Sequence, residues 1–373
     1  MTRIAVDAMS GDVGARECVP GAVLALQTHP GLQLLLVGQR DIVEGELARL
    51  RASARASGGS GAERGAEAWR ARVEVVHAAE VVDMNDRPRE AIRRKKASSM
   101  RIAVDLVQQG RADGAVSSGN TGALTAISHF VLRCLPGVER APIMSAVPNA
   151  RGFTHMLDLG ANTTATALQL VQFALMGAIV ARCVDGIESP RVGLLNIGEE
   201  EIKGHHIVQE AHGLLRERAA RQAESPAVTA GTTLPLWRYS GFVEGHDIFG
   251  DDVDVVVTDG FTGNVALKTM EGLAGLISLR LRQEFTATAA SRLAALVARP
   301  VLRRVIASLD PRRYNGAVMV GLSGVVVKSH GGADRVAFAR AVEIAARAVE
   351  RGLVQHVAQT VGDAHTPTQD AIN

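Results

Sequence analysis

The chain has 373 residues, 47% of them hydrophobic and 21% charged, enough for one large α/β domain or two intimately packed ones. Aromatic residues make up 3% and the formal charge is +2, which argues against a stacking platform for single-stranded nucleic acid and against a basic nucleic-acid surface. The three cysteines, Cys18, Cys134 and Cys183, are scattered and form no C-x-x-C pair, which argues against a zinc ribbon or a disulfide scaffold. The N-terminus enters a strand with no signal peptide, so a reducing, cytoplasmic setting is expected.

Seven short apolar runs stop abruptly at clusters of Gly, Asp, Asn or Ser. In chain order they are IAVDAMSGD (4–12), LLLVGQRD (34–41), ADGAVSSGNTGAL (112–124), MLDLGAN (156–162), VGLLNIGEEEIKG (192–204), VDVVVTDGFTGN (253–264) and GVVVKSHGGAD (324–334). The third predicts a strand ending at Ala115–Val116, a polar loop over Ser117–Gly122 and a helix opening at Ala123. Backbone N–H groups in such a turn, at a helix N-terminus, form an anion site without a dedicated side chain. Leu157–Leu159, Gly193–Leu195, Val255–Val257 and Val325–Val327 are apolar on consecutive positions, as strands buried on both faces are. Alternation of such runs with helical stretches predicts a mainly parallel sheet in an α/β fold. Ligands in open parallel sheets bind outside the carboxyl ends of the strands, so the seven polar ends suggest one shared cleft. The plainer alternative is that Gly/Asp/Asn loops simply end strands.

Other segments are read more simply. Ala167–Val184 carries Gln169, Gln172 and Arg182 and is expected to be a buried helix, because a membrane span needs about 20 nearly uninterrupted apolar residues. Arg51–Arg72 and Ala219–Leu234 look like insertions that carry no chemistry. Arg94, Lys95 and Lys96 read as a basic helix start facing phosphate or a partner, or as a solvated charged face. Leu276–Arg313 holds eight arginines against two acids, Glu284 and Asp310. Its apolar residues, from Leu293 through Leu309, recur at helical spacing around Pro300, which predicts a projecting helical hairpin. A basic amphipathic hairpin suits an anionic membrane or an acidic helical protein, and packing between two copies of the chain is the third option.

Common motifs are missing. There is no P-loop, no H-E-x-x-H and no G-x-S-x-G, and the Gly59–Gly65 run has neither the spacing nor the preceding strand of a dinucleotide fingerprint. His205, His206 and His212 are too poorly spaced for one metal ion, so no metal site is expected.

Taken together and in order, the runs above resemble the PlsX family of bacterial phosphate acyltransferases, from residue 4 to about 350. MNDRPREAIRRKKASSM (84–100), FVEGHDI (242–248), VVVTDGFTGNVALKTMEG (255–272) and GLSGVVVKSHGGAD (321–334) add to the match. Ser10, His205, Phe242 and His246 depart from the family pattern. The resemblance implies a three-layer α/β/α fold similar to the isocitrate/isopropylmalate dehydrogenase and phosphotransacetylase group. Residues 1–360 would form one domain of two intertwined subdomains with the hairpin at about 276–313, and 361–373 a disordered tail. It also implies a homodimer that makes acyl phosphate from acyl carrier protein thioesters and inorganic phosphate. The product would pass to a membrane-bound glycerol-3-phosphate acyltransferase, with peripheral membrane contact. No cofactor is expected, since the phosphopantetheine arrives on the carrier, and no nucleic acid is expected as a partner.

Phosphate is a competent nucleophile and a thioester an activated donor, so positioning and oxyanion stabilisation suffice without a covalent acyl-enzyme. The requirements are an anion cradle, a cation and a carboxylate. Ser118, Gly119, Asn120, Thr121 and Gly122 are the candidate cradle. Lys203 is the candidate cation, against a solvated lysine paired with Glu199–Glu201. Asp259 is the candidate carboxylate, against a cap for the following helix. Asp158, Asn162, Asn264, Lys328 and His330 are further candidates for binding substrate, with a structural hydrogen bond as the alternative for His330. Arg299, Arg303 and Arg304 are the candidate partner-binding residues. Two other readings need different residues. A metal- and NAD-dependent decarboxylating dehydrogenase would need clustered Asp ligands and a nucleotide loop. A non-catalytic acyl-phosphate or lipid-binding scaffold would keep the hairpin without needing Lys203 and Asp259.

Overall fold

The computed structural model describes residues 1–56, 68–224, 237–308 and 310–363. The expectations for 57–67, for 225–234, for Leu309 and for 364–373 lie outside the described residues. Among the described residues eleven strands form one sheet: β1 (Thr2–Asp7), β2 (Leu32–Gly38), β3 (Val73–His77), β4 (Gly114–Ser117), β5 (Ile143–Pro148), β6 (Phe153–Leu157), β7 (Arg191–Leu195), β8 (Arg238–Val243), β9 (Val255–Val257), β10 (Ala317–Met319) and β11 (Val325–Lys328). Their spatial order is β3-β2-β1-β4-β11-β10-β5-β6-β9-β7-β8. The sheet is mainly parallel; the antiparallel pairs are β11–β10, β10–β5 and β5–β6.

Helices cover both faces. Alternate residues of one strand enter different apolar clusters, as the two-residue strand period requires. Ile4 and Val6 join one and Ala5 another; Leu157 and Val257 join the first, while Met156 and Val256 face the opposite side. On the first face lie α1 (Ala15–Thr28), α6 (Ala167–Cys183), α7 (His206–Glu224), α10 (Arg335–Glu350) and α11 (Leu353–Asp363). On the other lie α3 (Pro88–Arg94), α4 (Ser99–Gln108), α5 (Thr121–Val131) and the start of α8 (Gly260–Ala287). Between them in the chain, α2 (Arg40–Ala56) follows β2, and α9 (Ala289–Ser308) pairs with α8. This is the expected three-layer α/β/α fold.

Helix α6 is buried along most of its length, as its sequence suggests, and a Thr166/Gln169 capping box starts it. Gly177 lets it press on the sheet: a Cβ there would sit 2.7 Å from Val255 Cγ1. Among the described residues no helix is long and apolar enough to cross a membrane.

Four local readings are corrected. Helix α5 opens at Thr121, because the Asn120 carboxamide caps Ala123 N–H at 2.9 Å. Arg94–Lys96 close α3 and do not start a helix; Pro88 begins α3, and the next helix waits for the Ser98 cap. Residues 51–56 and 219–224, read as parts of insertions, continue α2 and α7. Residues 361–363, read as the start of a disordered tail, end α11, where Val361 is buried in the core.

Candidate active site

Strand direction divides the polar loops into two sets. Counting the three antiparallel pairs, β6, β9, β7 and β8 run opposite to β1, β2, β4 and β11. The seven strand ends therefore do not meet at one edge of the sheet but fall into two polar groups.

The first group follows β6, β9 and β7. Asp158 is fully buried and accepts from Ile143 N, Gly160 N, Ala161 N, Asn162 N and the Asn162 carboxamide at 2.6–3.2 Å. Burial raises its pKa even against these donors. Asn162 also donates to Ala141 O, so both side chains are occupied within the turn. Helix α8 packs tightly on that turn: a Cβ at Gly263 would overlap the Asp158 carbonyl oxygen. Asp259 is half-buried and caps α8, with Oδ1 accepting from Phe261 N and Thr262 N at 2.9 Å and Oδ2 from the Thr262 hydroxyl at 2.7 Å. The cap is the role that a strand-end Asp more often has. Asn264 is exposed beside Gly160, and its carboxamide has no hydrogen-bond partner among the described residues.

Lys203 lies in the loop after β7. Its ammonium is 2.9 Å from Glu200 Oε2, and its side chain is 43% exposed, too open for that pair alone to fix its position. The hydrogen bond to Glu200 raises its pKa. Asn196 donates to the Gly198 and Lys203 carbonyls and holds the loop closed. Ile197 and Ile202 flank it fully in solvent.

The second group joins β1, β4 and β11. Lys328 is 8% exposed, and among the described residues its ammonium donates to the Ser118 and Ser329 carbonyls. No carboxylate lies within ion-pair distance of it among the described residues. Burial pushes its pKa down from 10.5 to about 8, and repulsion from Lys268 adds to this, while Asp12, Asp7 and Cys18 oppose it. Lys268 belongs to α8, so that helix runs from the Asp259 cap towards Lys328 and links the two groups.

The expected cradle is only partly open. Ser118 is buried and donates to Ser10 O at 2.8 Å, and Gly119 N–H donates to Ser117 Oγ. The Asn120 carboxamide holds the Met84 and Asp86 carbonyls as well as the cap. That loop is fixed in turn by Lys95, which bonds Val81 O and pairs with Asp83 and Asp86. The N–H groups of Thr121 and Gly122, at the open end of α5, have no partner among the described residues. His330 is exposed, with Nδ1 accepting from Gly332 N at 3.1 Å, the structural bond kept open as an alternative.

Each thiol is pushed up by burial, Cys18 to about 12, so none is poised as a thiolate. Among the described residues no group of three His, Cys, Asp or Glu side chains could hold a metal ion; His212 instead bonds the Tyr239 hydroxyl. The sequence reading missed Asp7, Ser10 and Ser117. Their one signal is an acid directly after the apolar run IAV, followed by hydroxyl residues.

α8 and α9 form the hairpin. It begins at Gly260, earlier than expected, because Asp259 caps it there. Arg299, Arg303 and Arg304 are exposed with no ion pair among the described residues, and Leu276, Leu293, Leu296 and Val297 are each more than half exposed.

A family model described as "Fatty acid synthesis protein" matches residues 2–356. The phosphate acyltransferase of Methylococcus capsulatus is 48% identical over 97% of this chain and 98% of its own length. That of Alkalilimnicola ehrlichii is 48% identical over 95% of each. Among solved structures, the EutD phosphotransacetylase of Staphylococcus aureus superposes with a TM-score of 0.56 at 15% identity, covering 93% of this chain and 94% of its own. A phosphotransacetylase of Streptococcus pyogenes gives 0.54 at 17% identity, covering 94% of each. At such identities these two likenesses speak for the fold alone.

Proposed function

The chain belongs to the phosphate acyltransferase family, and on that premise we propose that it moves the acyl group of an acyl-[acyl carrier protein] onto inorganic phosphate. It is an acyltransferase of fatty acid and phospholipid synthesis. The products of the proposed reaction are acyl phosphate and free carrier protein, and the acyl phosphate feeds phosphatidic acid synthesis. The observation that carries this reading is the end-to-end match at 48% identity.

Phosphate attacks the thioester carbonyl directly; the C–S bond breaks and the phosphate proton leaves on the thiol. The thiols, all pushed up by burial, favour direct attack over a cysteine acyl-enzyme. Lys203 supplies positive charge to the oxyanion or phosphate after rotating away from Glu200. Asp259 orients the nucleophile from the mouth of α8, and Asn264 offers its unpartnered carboxamide. Lys328 and the Thr121 and Gly122 N–H groups receive phosphate oxygens, with His330 at their rim. Asp158, Asn162, Ser118, Gly119 and the Asn120 side chain support the binding loops from behind. Neither metal nor cofactor takes part.

Residues 1–360 act as one unit of two intertwined subdomains, present as a cytoplasmic homodimer. Arg299, Arg303 and Arg304 receive the acidic carrier protein or an anionic membrane face. Peripheral contact there would bring the product to a membrane-bound glycerol-3-phosphate acyltransferase. The test is to incubate the protein with palmitoyl-carrier protein and phosphate and trap acyl phosphate with hydroxylamine. Phosphate-dependent trapping is expected. No trapping, or activity lost in EDTA and restored by a divalent metal, would count against the reading.

A further inference from the structure

The buried polar row behind Lys328 has no role in the reaction described so far. Lys328 lies opposite Ser117 in register, and Val116 pairs with Val6, so Asp7, Ser117 and Lys328 stand at one level on three adjacent strands. Asp7 is fully buried. It accepts from the Ser10 and Ser117 hydroxyls, the latter at 2.7 Å, and weakly from Met9 N at 3.4 Å. Two inter-strand spacings separate Asp7 from Lys328, about 10 Å, too far for an ion pair but close enough to be felt in a dry interior. Two buried opposite charges that do not pair are costly unless something else engages them. Asp7 is engaged by hydroxyls. Lys328 has three donors and uses two, both on carbonyls.

We propose that Asp7 is a positioning residue for acyl transfer: through Ser10 and Ser117 it ties together the loops around Lys328 and keeps that ammonium charged for a phosphate oxygen. The inference rests on the reading that Lys328 receives a substrate anion, from inorganic phosphate or from the carrier's phosphopantetheine. The charged groups acting on Lys328 are Asp7 on β1, Asp12 in the loop beyond it, Cys18 on α1 and Lys268 on α8. Loss of the Asp7 charge leaves Lys268 and burial less opposed, so Lys328 releases its proton more easily.

Asp7→Asn and Lys328→Met answer different questions. In Asp7→Asn the alkaline limb of the kcat/KM profile should move to lower pH by on the order of one unit, with activity recovered on the acid side. A uniform loss with the limb in place would mean a purely structural Asp7 and overturn the inference. Lys328→Met should raise the KM for phosphate if inorganic phosphate is the ligand, or the KM for acyl-carrier protein if phosphopantetheine is. If it changes neither KM nor kcat, the anion reading of Lys328 itself fails. Should Asp7→Asn be too unstable for kinetics, a double-mutant cycle decides: Lys328→Met should raise the melting temperature more in the Asp7→Asn background than in the wild type. An equal change in the two backgrounds would overturn the coupling.

Discussion

Lys203 follows strand β7 and Lys328 ends strand β11 of the same sheet, yet they are opposites. Lys203 is open to solvent and balanced by Glu200, so its charge costs the fold little and its side chain can move. Lys328 is buried, bonded to carbonyls and, among the described residues, unpaired with any carboxylate, so its charge is held at the expense of stability. A lysine can thus serve an anionic reaction either by mobility or by pre-placement, and its burial tells which.

The sharpest break in this comparison comes from Lys203→Ala. It should lower kcat/KM by at least about a hundredfold, the scale of one lost transition-state contact, while the fold persists. A well-folded variant with near-normal turnover would leave Lys203 a plain surface ion pair.

Stability against pH separates the two lysines next. Lys328 has a folded value of about 8, below its ordinary 10.5, so between these values the unfolded chain holds a proton that the folded chain lacks. Its contribution makes stability rise with pH across that window, by up to roughly 3 kcal/mol. Below about pH 8 the full cost of burying the ammonium is present. Denaturant titrations in phosphate-free buffer should show the rise in the wild type and a flatter profile in Lys328→Met. Equal profiles would mean that Lys328 is solvated in solution.

Asp259 tests whether capping and chemistry share one residue. Asn caps as well as Asp, so Asp259→Asn should keep stability and lose activity, whereas Asp259→Ala should lose activity and about 1 kcal/mol of stability. If Asp259→Asn retains full turnover, the carboxylate is only a cap.

The smallest effect is expected at the hairpin. Arg299, Arg303 and Arg304 changed together to Ser should raise the KM for acyl-carrier protein roughly threefold to tenfold, more so at low salt, with kcat barely altered. Release from anionic vesicles with an unchanged KM would assign the arginines to a membrane instead. Collapse of a dimer with neither change would assign them to packing between copies.

The sequence alone determined the layered α/β fold, because buried parallel strands must be apolar on consecutive positions and their ends must turn polar; Val255–Val257 before Thr258 and Asp259 shows both. It also singled out Lys203, Asp259 and Lys328 as candidates, the last two at the end of such a run and Lys203 in the loop that follows one. Only the tertiary structure decided what surrounds them. The three antiparallel pairs that reverse direction between β11 and β6, and so divide the polar ends, depend on long-range register that no local pattern encodes. Asp158 reads like a ligand in LDLGAN but is saturated by five donors, among them Ile143 from a neighbouring strand. Lys328 reads like any strand-end lysine until packing removes its water. Burial and the distance to opposite charge set its energetics, and both are properties of the packed sheet rather than of the residues in line.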